Sequence, residues 1–293
     1  MSRSYDVLLT AVAPTVWGST YIVTTELLPE GYPITAAMLR ALPAGLLLLL
    51  LVRTLPHGRW IVRAAVLGAL NFSLFWWLLF VSAYRLPGGV AATIGAVQPL
   101  IVLGLARYTM GQDITRVGLI AGIVGVLGVG LLVLTPEAML DWIGILAALG
   151  GAASMALGTV LTKTWQPPVS PLIVTAWQLT AGGLLLLPAA LFFEPSLPPL
   201  TTGNIVGFVY LGLVGGAITY ILWFRGISRL GPSAVSPLGR LSPVAAVLLG
   251  WFFLNQTLNM LQFLGMVLAL GSAWFGQRSQ SPSVVSSPEV RGT

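Results

Sequence analysis

The side chains that could do chemistry in this sequence are few, and they lie within long apolar segments. The aromatic and polar residues that could bind a solute are Trp17, Tyr21, Arg40, Asn71, Trp76, Gln98, Trp177, Gln178 and Tyr220. Aromatic rings suit flat or apolar solutes and cations, and a guanidinium can bind a carboxylate with two parallel hydrogen bonds. Trp and Tyr are also enriched at lipid interfaces, which is the alternative for each ring. Together these residues predict a binding site for a small organic molecule.

Two arginines, Arg40 and Arg240, lie inside apolar segments, where a charge is costly to bury. Arg240 stands between Pro237 and Pro243, and the carbonyls that these prolines leave without a donor could bind its guanidinium. Snorkelling to the membrane surface is the alternative for both arginines. Arg40 is therefore the better candidate for a counter-charge to an anionic substrate group such as a carboxylate.

Prolines interrupt several of the apolar segments, at Pro14, Pro99, Pro237 and Pro243. Each removes a backbone donor and frees the carbonyl four residues earlier, and in lipid that carbonyl needs a partner. We predict that these prolines are gating hinges in helices that face protein or a cavity. A static kink is the alternative at each position.

Other kinds of site are not expected. The sequence has no cysteine and one histidine, His57, in a basic loop, so it offers no thiol nucleophile and no metal cluster. It contains no phosphate-cradling glycine loop with lysine and no Ser–His constellation. No Asp or Glu falls in the core of a predicted helix, where proton-coupled carriers often use one. We therefore expect no cofactor, no enzymatic activity and no tight proton coupling.

The composition requires lipid as the solvent. Hydrophobic residues make up 56% of the chain, charged residues 8%, and the mean hydropathy is +0.92. A soluble domain carries about a quarter charged residues. The net charge of +6 comes from arginines scattered singly at helix ends, which argues against nucleic acid as a partner. The expected partners are membrane lipid and a small-molecule substrate.

Ten segments of about 20 mostly apolar residues are each long enough to span a bilayer. They are 7–28, 33–52, 61–84, 88–108, 116–135, 141–162, 171–192, 203–224, 233–253 and 260–277. With the N-terminus inside, nearly all loop Lys and Arg residues collect on the inner side, and only Arg85 falls outside. The sequence thus predicts a multi-pass protein of a bacterial inner (plasma) membrane with both termini cytoplasmic.

An internal repeat divides the chain. Phe80, Arg85, Leu86, Gly95, Pro99 and Gln112 recur 144 residues later as Phe224, Arg229, Leu230, Gly239, Pro243 and Gln256. An odd number of helices in each repeat forces the two copies into opposite orientations, as in many transporters. The prediction is an all-α membrane protein of ten transmembrane helices in two inverted five-helix repeats. The repeats cover residues 1–135 and 136–278, and a disordered tail covers 279–293.

The fifth and tenth helices carry small residues at close spacing, such as Gly122, Gly125 and Gly128 in one and Gly265 and Ala269 in the other. Such residues let helix backbones approach closely. These two helices should hold the structure or a neighbouring chain together. We expect a monomer or a weak homodimer formed through them.

These features resemble the drug/metabolite transporter superfamily, and within it the YddG-type amino-acid exporters of the EamA group. The resemblance rests on the two five-helix repeats, Trp17-Gly18-Ser19, Arg40, Pro99 and Pro243. The family's helix-end motif, usually Leu-Gly-Glu, stands here as Met110-Gly111-Gln112 and Leu254-Asn255-Gln256, so glutamine replaces glutamate twice. The resemblance implies efflux of amino acids and related metabolites through a cavity ringed by helices 1–4 and 6–9.

The sequence is thus interpreted as an exporter of aromatic and other neutral amino acids that alternates access by rocking its two halves. An exporter of hydrophobic or cationic drugs is an alternative in the same broad class. A channel-like pore and a membrane assembly subunit without transport are alternatives of other classes.

Overall fold

The computed structural model describes residues 3–111, 116–133, 141–230, 235, 238–239, 241–256 and 258–278. These residues form ten helical spans, numbered here like the predicted ones. They are α1 (Arg3–Leu27), α2 (Pro33–Val52), α3 (Arg59–Ala83), α4 (Gly88–Thr109), α5 (Arg116–Val133), α6 (Trp142–Trp165), α7 (Pro171–Phe193), α8 (Thr202–Leu230), α9 (Leu241–Leu254) and α10 (Met260–Arg278). The predicted tail 279–293, Pro237 and Arg240 lie outside the described residues.

Seven of these spans, α1–α4 and α6–α8, are long and apolar enough to cross a membrane. The described parts of α5, α9 and α10 contain the shorter apolar stretches Arg116–Gly128, Leu241–Leu254 and Met260–Ser272. The predicted fold class, an all-α membrane protein, is confirmed.

Helix packing follows the internal repeat. The helices α2 and α7, which are repeat equivalents, pack against each other, and so do α5 and α10. The pair α1–α8 has its counterpart in α6–α3, and the pair α1–α9 has its counterpart in α6–α4. Exchanging the two halves therefore leaves these pairings unchanged, as expected for inverted repeats.

Glycines allow the two central pairs to pack backbone to backbone. A Cβ atom added to Gly183 of α7 would lie 2.6 Å from Leu42 Cα of α2. One added to Gly128 of α5 would lie 2.6 Å from the backbone nitrogen of Ala269 in α10. Small residues at helix contacts are the usual way to gain dispersion contacts in lipid. The small residues of α5 and α10 thus face each other within one chain.

Four helices depart from regular α geometry. The span α1 divides at Ser19, and α4 divides at Ala96–Val97 into Gly88–Gly95 and Gln98–Met110. The helices α3 and α8 contain π-helical segments at equivalent places, Ala69–Leu74 and Tyr210–Ile218. Such segments are frequent at functional sites, because they widen the helix and leave carbonyls free for other donors.

Three helices are longer than predicted. The structure extends α6 to Trp165 and α8 to Leu230, and α1 begins at Arg3, which places Asp6 inside the helix and buries it. The predicted segments end at the first charged side chain, because they are defined by runs of apolar residues. A helix continues past such a side chain when the charge finds a partner. Asp6 Oδ1 accepts a hydrogen bond of 2.7 Å from Arg225 Nη2 and lies 3.7 Å from Arg229 Nη1.

An equivalent ion pair closes the opposite end of the bundle, where Asp141 accepts a hydrogen bond from Arg85 Nη1. The same carboxylate caps α6 through the N–H groups of Ile143 and Gly144. Desolvation raises the pKa of Asp141, but these hydrogen bonds outweigh it and hold the pKa below its usual value. Among the described residues, an aspartate at each end of the bundle thus contacts arginine across opposite repeats, Asp6 with Arg225 and Arg229 and Asp141 with Arg85.

Candidate functional site

Aromatic side chains from α1, α3 and α8 meet in the middle of the bundle. The ring of Trp17 lies 5.5 Å from Tyr220 and 5.3 Å from Trp223, between ring centroids. Phe72 links the two sides, with centroid distances of 5.9 Å to Tyr220 and 5.1 Å to Trp76. We call these five residues the central aromatic cluster. Of the predicted site residues, Trp17, Trp76 and Tyr220 belong to it.

Arg40 of α2 lies against this cluster. Its Cζ atom is 4.5 Å from the centroid of the Trp76 ring, a cation–π contact, and its residue is only 3% exposed. Its Nη1 donates to Thr20 Oγ1 over 3.0 Å, and its Nη2 donates to the Gly215 carbonyl over 3.4 Å. Its Nε is buried and has no hydrogen-bond partner. No carboxylate of the described residues forms an ion pair with it.

The phenol groups of Tyr220, Tyr21 and Tyr210 lie close enough to the Arg40 guanidinium to interact with its charge. The hydroxyl of Tyr210 also lies 2.7 Å from Ser19 Oγ, at the point where α1 divides. Neutral hydroxyls and rings therefore surround the charge. Such an environment is costly for a lone cation and favours the arrival of an anion.

The aromatic rings and the arginine are joined through Thr219. Trp17 Nε1 donates to Thr219 Oγ1 over 2.9 Å, and Thr219 Oγ1 donates to the Gly215 carbonyl over 3.0 Å. That carbonyl, in the π-helical segment of α8, also accepts from Arg40. The irregular helix thus supplies the acceptor through which α1, α2 and α8 meet.

The structure brings Asn71 and Gln178 together at a different place. Asn71 Nδ2 donates to Gln178 Oε1 over 2.7 Å, and both residues are buried. In the repeat, Gln178 corresponds to Arg40 and Asn71 corresponds to Gly215. The Asn71–Gln178 hydrogen bond is thus the repeat counterpart of the contact between Arg40 and the Gly215 carbonyl, but it carries no charge.

Trp177 lies at the end of the bundle that holds the N-terminus. Its Nε1 donates to the Thr54 carbonyl over 2.6 Å, and its ring packs 6.5 Å from Trp60. Arg63 stands between Trp60 and Trp165, at 5.1 Å from each ring centroid. The structure therefore places Trp177 in this separate group and not in the central aromatic cluster.

The remaining predicted residues lie at helix irregularities. Gln98 and Pro99 begin the second half of α4, directly after its break, and Gln98 is half-buried. Pro14 is buried in α1, ahead of the division at Ser19, and Pro243 is buried near the start of α9. Two of the predicted hinges, Pro14 and Pro99, thus lie near observed breaks.

Sequence reasoning missed Phe72, Trp223, Thr20 and Tyr210. Phe72 precedes Trp76 by four residues and Trp223 follows Tyr220 by three, so helical spacing places each on the same face as a predicted residue. Tyr210 had no such signal, because the π-helical segment that begins at this residue changes the number of residues per turn.

The groups that meet in the described part of this site are suited to binding a small molecule. Within the described ranges, no group of three or more His, Cys, Asp or Glu side chains could hold a metal ion. A buried guanidinium beside aromatic rings can bind an anionic group and a flat apolar group together.

Known proteins share this architecture. The family model described as EamA-like transporter family matches residues 5–134 and 142–275. The chain is 44% identical over 257 residues to Protein PecM of Dickeya dadantii, covering 87% of this chain and 86% of that protein. It is 30% identical over 263 residues to the uncharacterized inner membrane transporter YedA of Escherichia coli K12, covering 86% and 83%. A solved structure titled only as the crystal structure of a protein matches 96% of this chain and 100% of its own, with a TM-score of 0.63 and 20% identity.

Proposed function

The chain belongs to the EamA-like transporter family of the drug/metabolite transporter superfamily, and we propose that it exports aromatic and other neutral amino acids. Its relatives are membrane transporters, one of them an inner membrane transporter by name. The chain itself is a multi-span membrane protein of such a family. The substrate and the mechanism that follow are our proposal.

The buried guanidinium of Arg40 carries the proposal. Its described partners are a hydroxyl and a backbone carbonyl, and one of its donors, Nε, has none. A substrate carboxylate could take a place beside Nε and Trp76 and would offset part of the cost of burying the charge. The adjacent rings of Trp17, Tyr220 and Phe72 could then pack against an apolar or aromatic side chain.

The same charge disfavours the main alternative. A hydrophobic cation would meet Arg40 as a like charge in a medium of low dielectric, where repulsion is strong. A zwitterionic or anionic solute does not have this difficulty. An exporter of cationic drugs is therefore the less favoured candidate.

Alternating access is the mechanism we propose, with Pro14, Pro99, Pro237 and Pro243 as hinges. Both termini lie in the cytoplasm, and transport follows the substrate gradient without tight proton coupling. The described carboxylate closest to the interior, Asp6, is bound to Arg225 near one end of α1 and not beside Arg40. We also propose that the protein is a monomer or a weak homodimer. The dimer would form through the outward faces of α5 and α10, which are apolar and exposed.

The substitution Arg40→Gln tests the carboxylate role. In proteoliposomes, counterflow of L-phenylalanine should fall far more than counterflow of its amide or of phenethylamine, if either is carried. Loss of a charge-assisted hydrogen bond costs about 1.5–3 kcal/mol, or about 10- to 100-fold in rate at low substrate concentration. Folded protein should be quantified for each variant by gel filtration.

Arg63→Gln is the matched control, because Arg63 also lies over a tryptophan ring but at the end of the bundle. It should reduce acid, amide and amine transport alike or not at all. Equal loss of all three substrates in Arg40→Gln, at normal folded yield, would contradict the carboxylate role. Failure of the unaltered protein to carry any amino acid would contradict the substrate class.

A further inference from the structure

Two neighbouring cavities lie on the side of the bundle away from the N-terminus. The larger, of about 120 Å³, is bordered by the start of α4, the end of α9 and the start of α10. The smaller, of only about 10 Å³, is bordered by α1, α4 and α9, and its lining includes Tyr21 and Gly88. Gln256 borders both cavities. Tyr21, which borders the smaller cavity, directly follows Thr20, whose hydroxyl accepts a hydrogen bond from Arg40, so this cavity lies close to the candidate site along α1.

Residues that border these cavities form a tight contact between helices. A Cβ atom on Gly88 would lie 2.8 Å from Tyr21 Cβ, and one on Gly89 would lie 2.9 Å from Val247 Cγ2. Either distance is shorter than side chains tolerate, so glycine is required for the first part of α4 to lie this close to α1 and α9. We call this contact between Gly88–Gly95 and α9 the α4–α9 seam.

The first part of α4 is also set apart from the rest of its helix. The segment Gly88–Gly95 ends at the break at Ala96–Val97, and Pro99 follows at the start of the second segment. A proline there cannot donate the backbone hydrogen bond that would join the two segments into one continuous helix. Dihedral changes at a few residues between helical segments are the usual source of hinge motion.

From these observations we infer that the α4–α9 seam is the exit gate for substrate. It opens by movement of Gly88–Gly95 about the break at Ala96–Val97, which joins the two cavities into one passage from Arg40 to the outer face. Gln256 lines the mouth of that passage and offers an uncharged amide, which hydrogen-bonds a zwitterion without retaining it. The inference rests on the proposed export function and adds the route and the gate.

A disulfide across the seam tests the gate. A Cβ atom on Gly89 would lie 3.5 Å from Val247 Cβ, which is within the range that disulfides span. The chain has no cysteine of its own, so Gly89→Cys with Val247→Cys gives a single possible pair. After oxidation with copper phenanthroline, counterflow of L-phenylalanine should fall at least tenfold, and dithiothreitol should restore it.

The matched control is Gly125→Cys with Ser272→Cys in the α5–α10 pair. There a Cβ atom on the glycine would also lie 3.5 Å from the facing Cβ. Because α5 and α10 lie outside the candidate site, oxidation of this pair should leave the rate within about twofold. Full transport with the 89–247 disulfide formed, or equal loss in both pairs, would overturn the gate.

A second measurement does not depend on the substrate. Ala246 borders the smaller cavity and is 3% exposed, so a single Ala246→Cys should react slowly with a membrane-impermeant maleimide. Adding Gly89→Val should hold the seam apart and speed this labelling at least threefold, whereas adding Gly125→Val should not. Unchanged labelling in Gly89→Val would contradict the gate even if amino acids prove to be the wrong substrate.

Discussion

The atom that joins the parts of the candidate site is the hydroxyl oxygen of Thr219. It accepts from the Trp17 indole and donates to the Gly215 carbonyl that also binds Arg40. The aromatic and charged halves of the site are thus held in a fixed relation by hydrogen bonds, which are geometrically selective because buried polar groups are costly to leave unpaired.

Thr219→Val should therefore weaken substrate binding at the site without abolishing it. Valine has the shape of threonine but leaves the Trp17 N–H without its acceptor, at a cost of about 1–3 kcal/mol. We expect the KM for L-phenylalanine to rise several-fold while the KM for L-alanine changes less. Thr10→Val is the control, since Thr10 is equally buried and also bonds a carbonyl one turn earlier, but receives no indole. Equal effects of the two substitutions on both substrates would argue against this role for Thr219.

At this scale the sequence was informative about residue types and less so about their positions. Trp17, Arg40, Trp76 and Tyr220 were identified because polar and aromatic side chains are conspicuous in apolar spans, and the structure brings them together. Trp177 directly precedes Gln178. Adjacent residues of a helix point about 100° apart, so the two side chains could not both face one cavity. Which of the two faced inward depended on the packing of α2 and α3, which hydropathy does not encode.

Asp–Arg contacts link helices at both ends of the bundle. Asp6 is about 10% exposed and lies against two arginines, whereas the side chains of Arg85 and Asp141 are 40% and 32% exposed. Solvent screens an exposed pair far more than a buried one. The contact of α1 with α8 should therefore matter more for stability than the contact of α3 with α6.

Asp6→Asn should lower the thermal stability of the detergent-solubilised protein, by an amount that corresponds to about 1.5–3 kcal/mol for a charge-assisted bond. Asp141→Asn should have a smaller effect with its own pH signature. Because folding lowers the pKa of Asp141, its ionised carboxylate stabilises the folded state above the unfolded pKa near 4. This stabilisation disappears as the pH falls through the folded pKa. Melting curves of both variants from pH 7 to pH 3 would show this, and a pH-independent difference for Asp141→Asn would contradict it.

Helices were the most predictable level of this structure. Runs of apolar residues identified each span, because a bilayer sets their length. The division of α1 at Ser19 and the π-helical segments of α3 and α8 were not predicted, since they arise where backbone groups bond to other helices. The early start of α1 was missed because Asp6 reads as a loop residue until its arginine partners are known.

At the scale of the whole molecule, the repeat implies that each loop has a counterpart on the opposite face. The loop after α2, which includes His57, and the loop after α7, which includes Ser196, are such a pair. By counting crossings from the N-terminus, these two loops lie on opposite sides of the membrane. Because basic residues lie near His57, we propose that its side is the cytoplasmic one.

Single-cysteine labelling checks this arrangement against a background that has no cysteine. In intact cells, Ser196→Cys should react with an impermeant maleimide added outside, and His57→Cys should react only after the membrane is opened. Reaction of Ser196→Cys only from the inside would reverse the orientation, and reaction of both residues from one side would refute the inverted repeat.

The pairing of helices across the two halves also affects how the protein assembles in the membrane during its synthesis. The helices α1, α2 and α3 find their main neighbours in α8, α7 and α6, all of which leave the ribosome later. Until then the groove of α2 that receives Gly183 lies against lipid, and Arg40 has no Gly215 carbonyl to bind. A chain released early by a stop codon thus has unfilled grooves and a membrane-embedded charge, which quality-control proteases can recognise. We expect biosynthesis to tolerate a cut between residues 133 and 141 when both fragments are present, and to degrade the first fragment when it is alone.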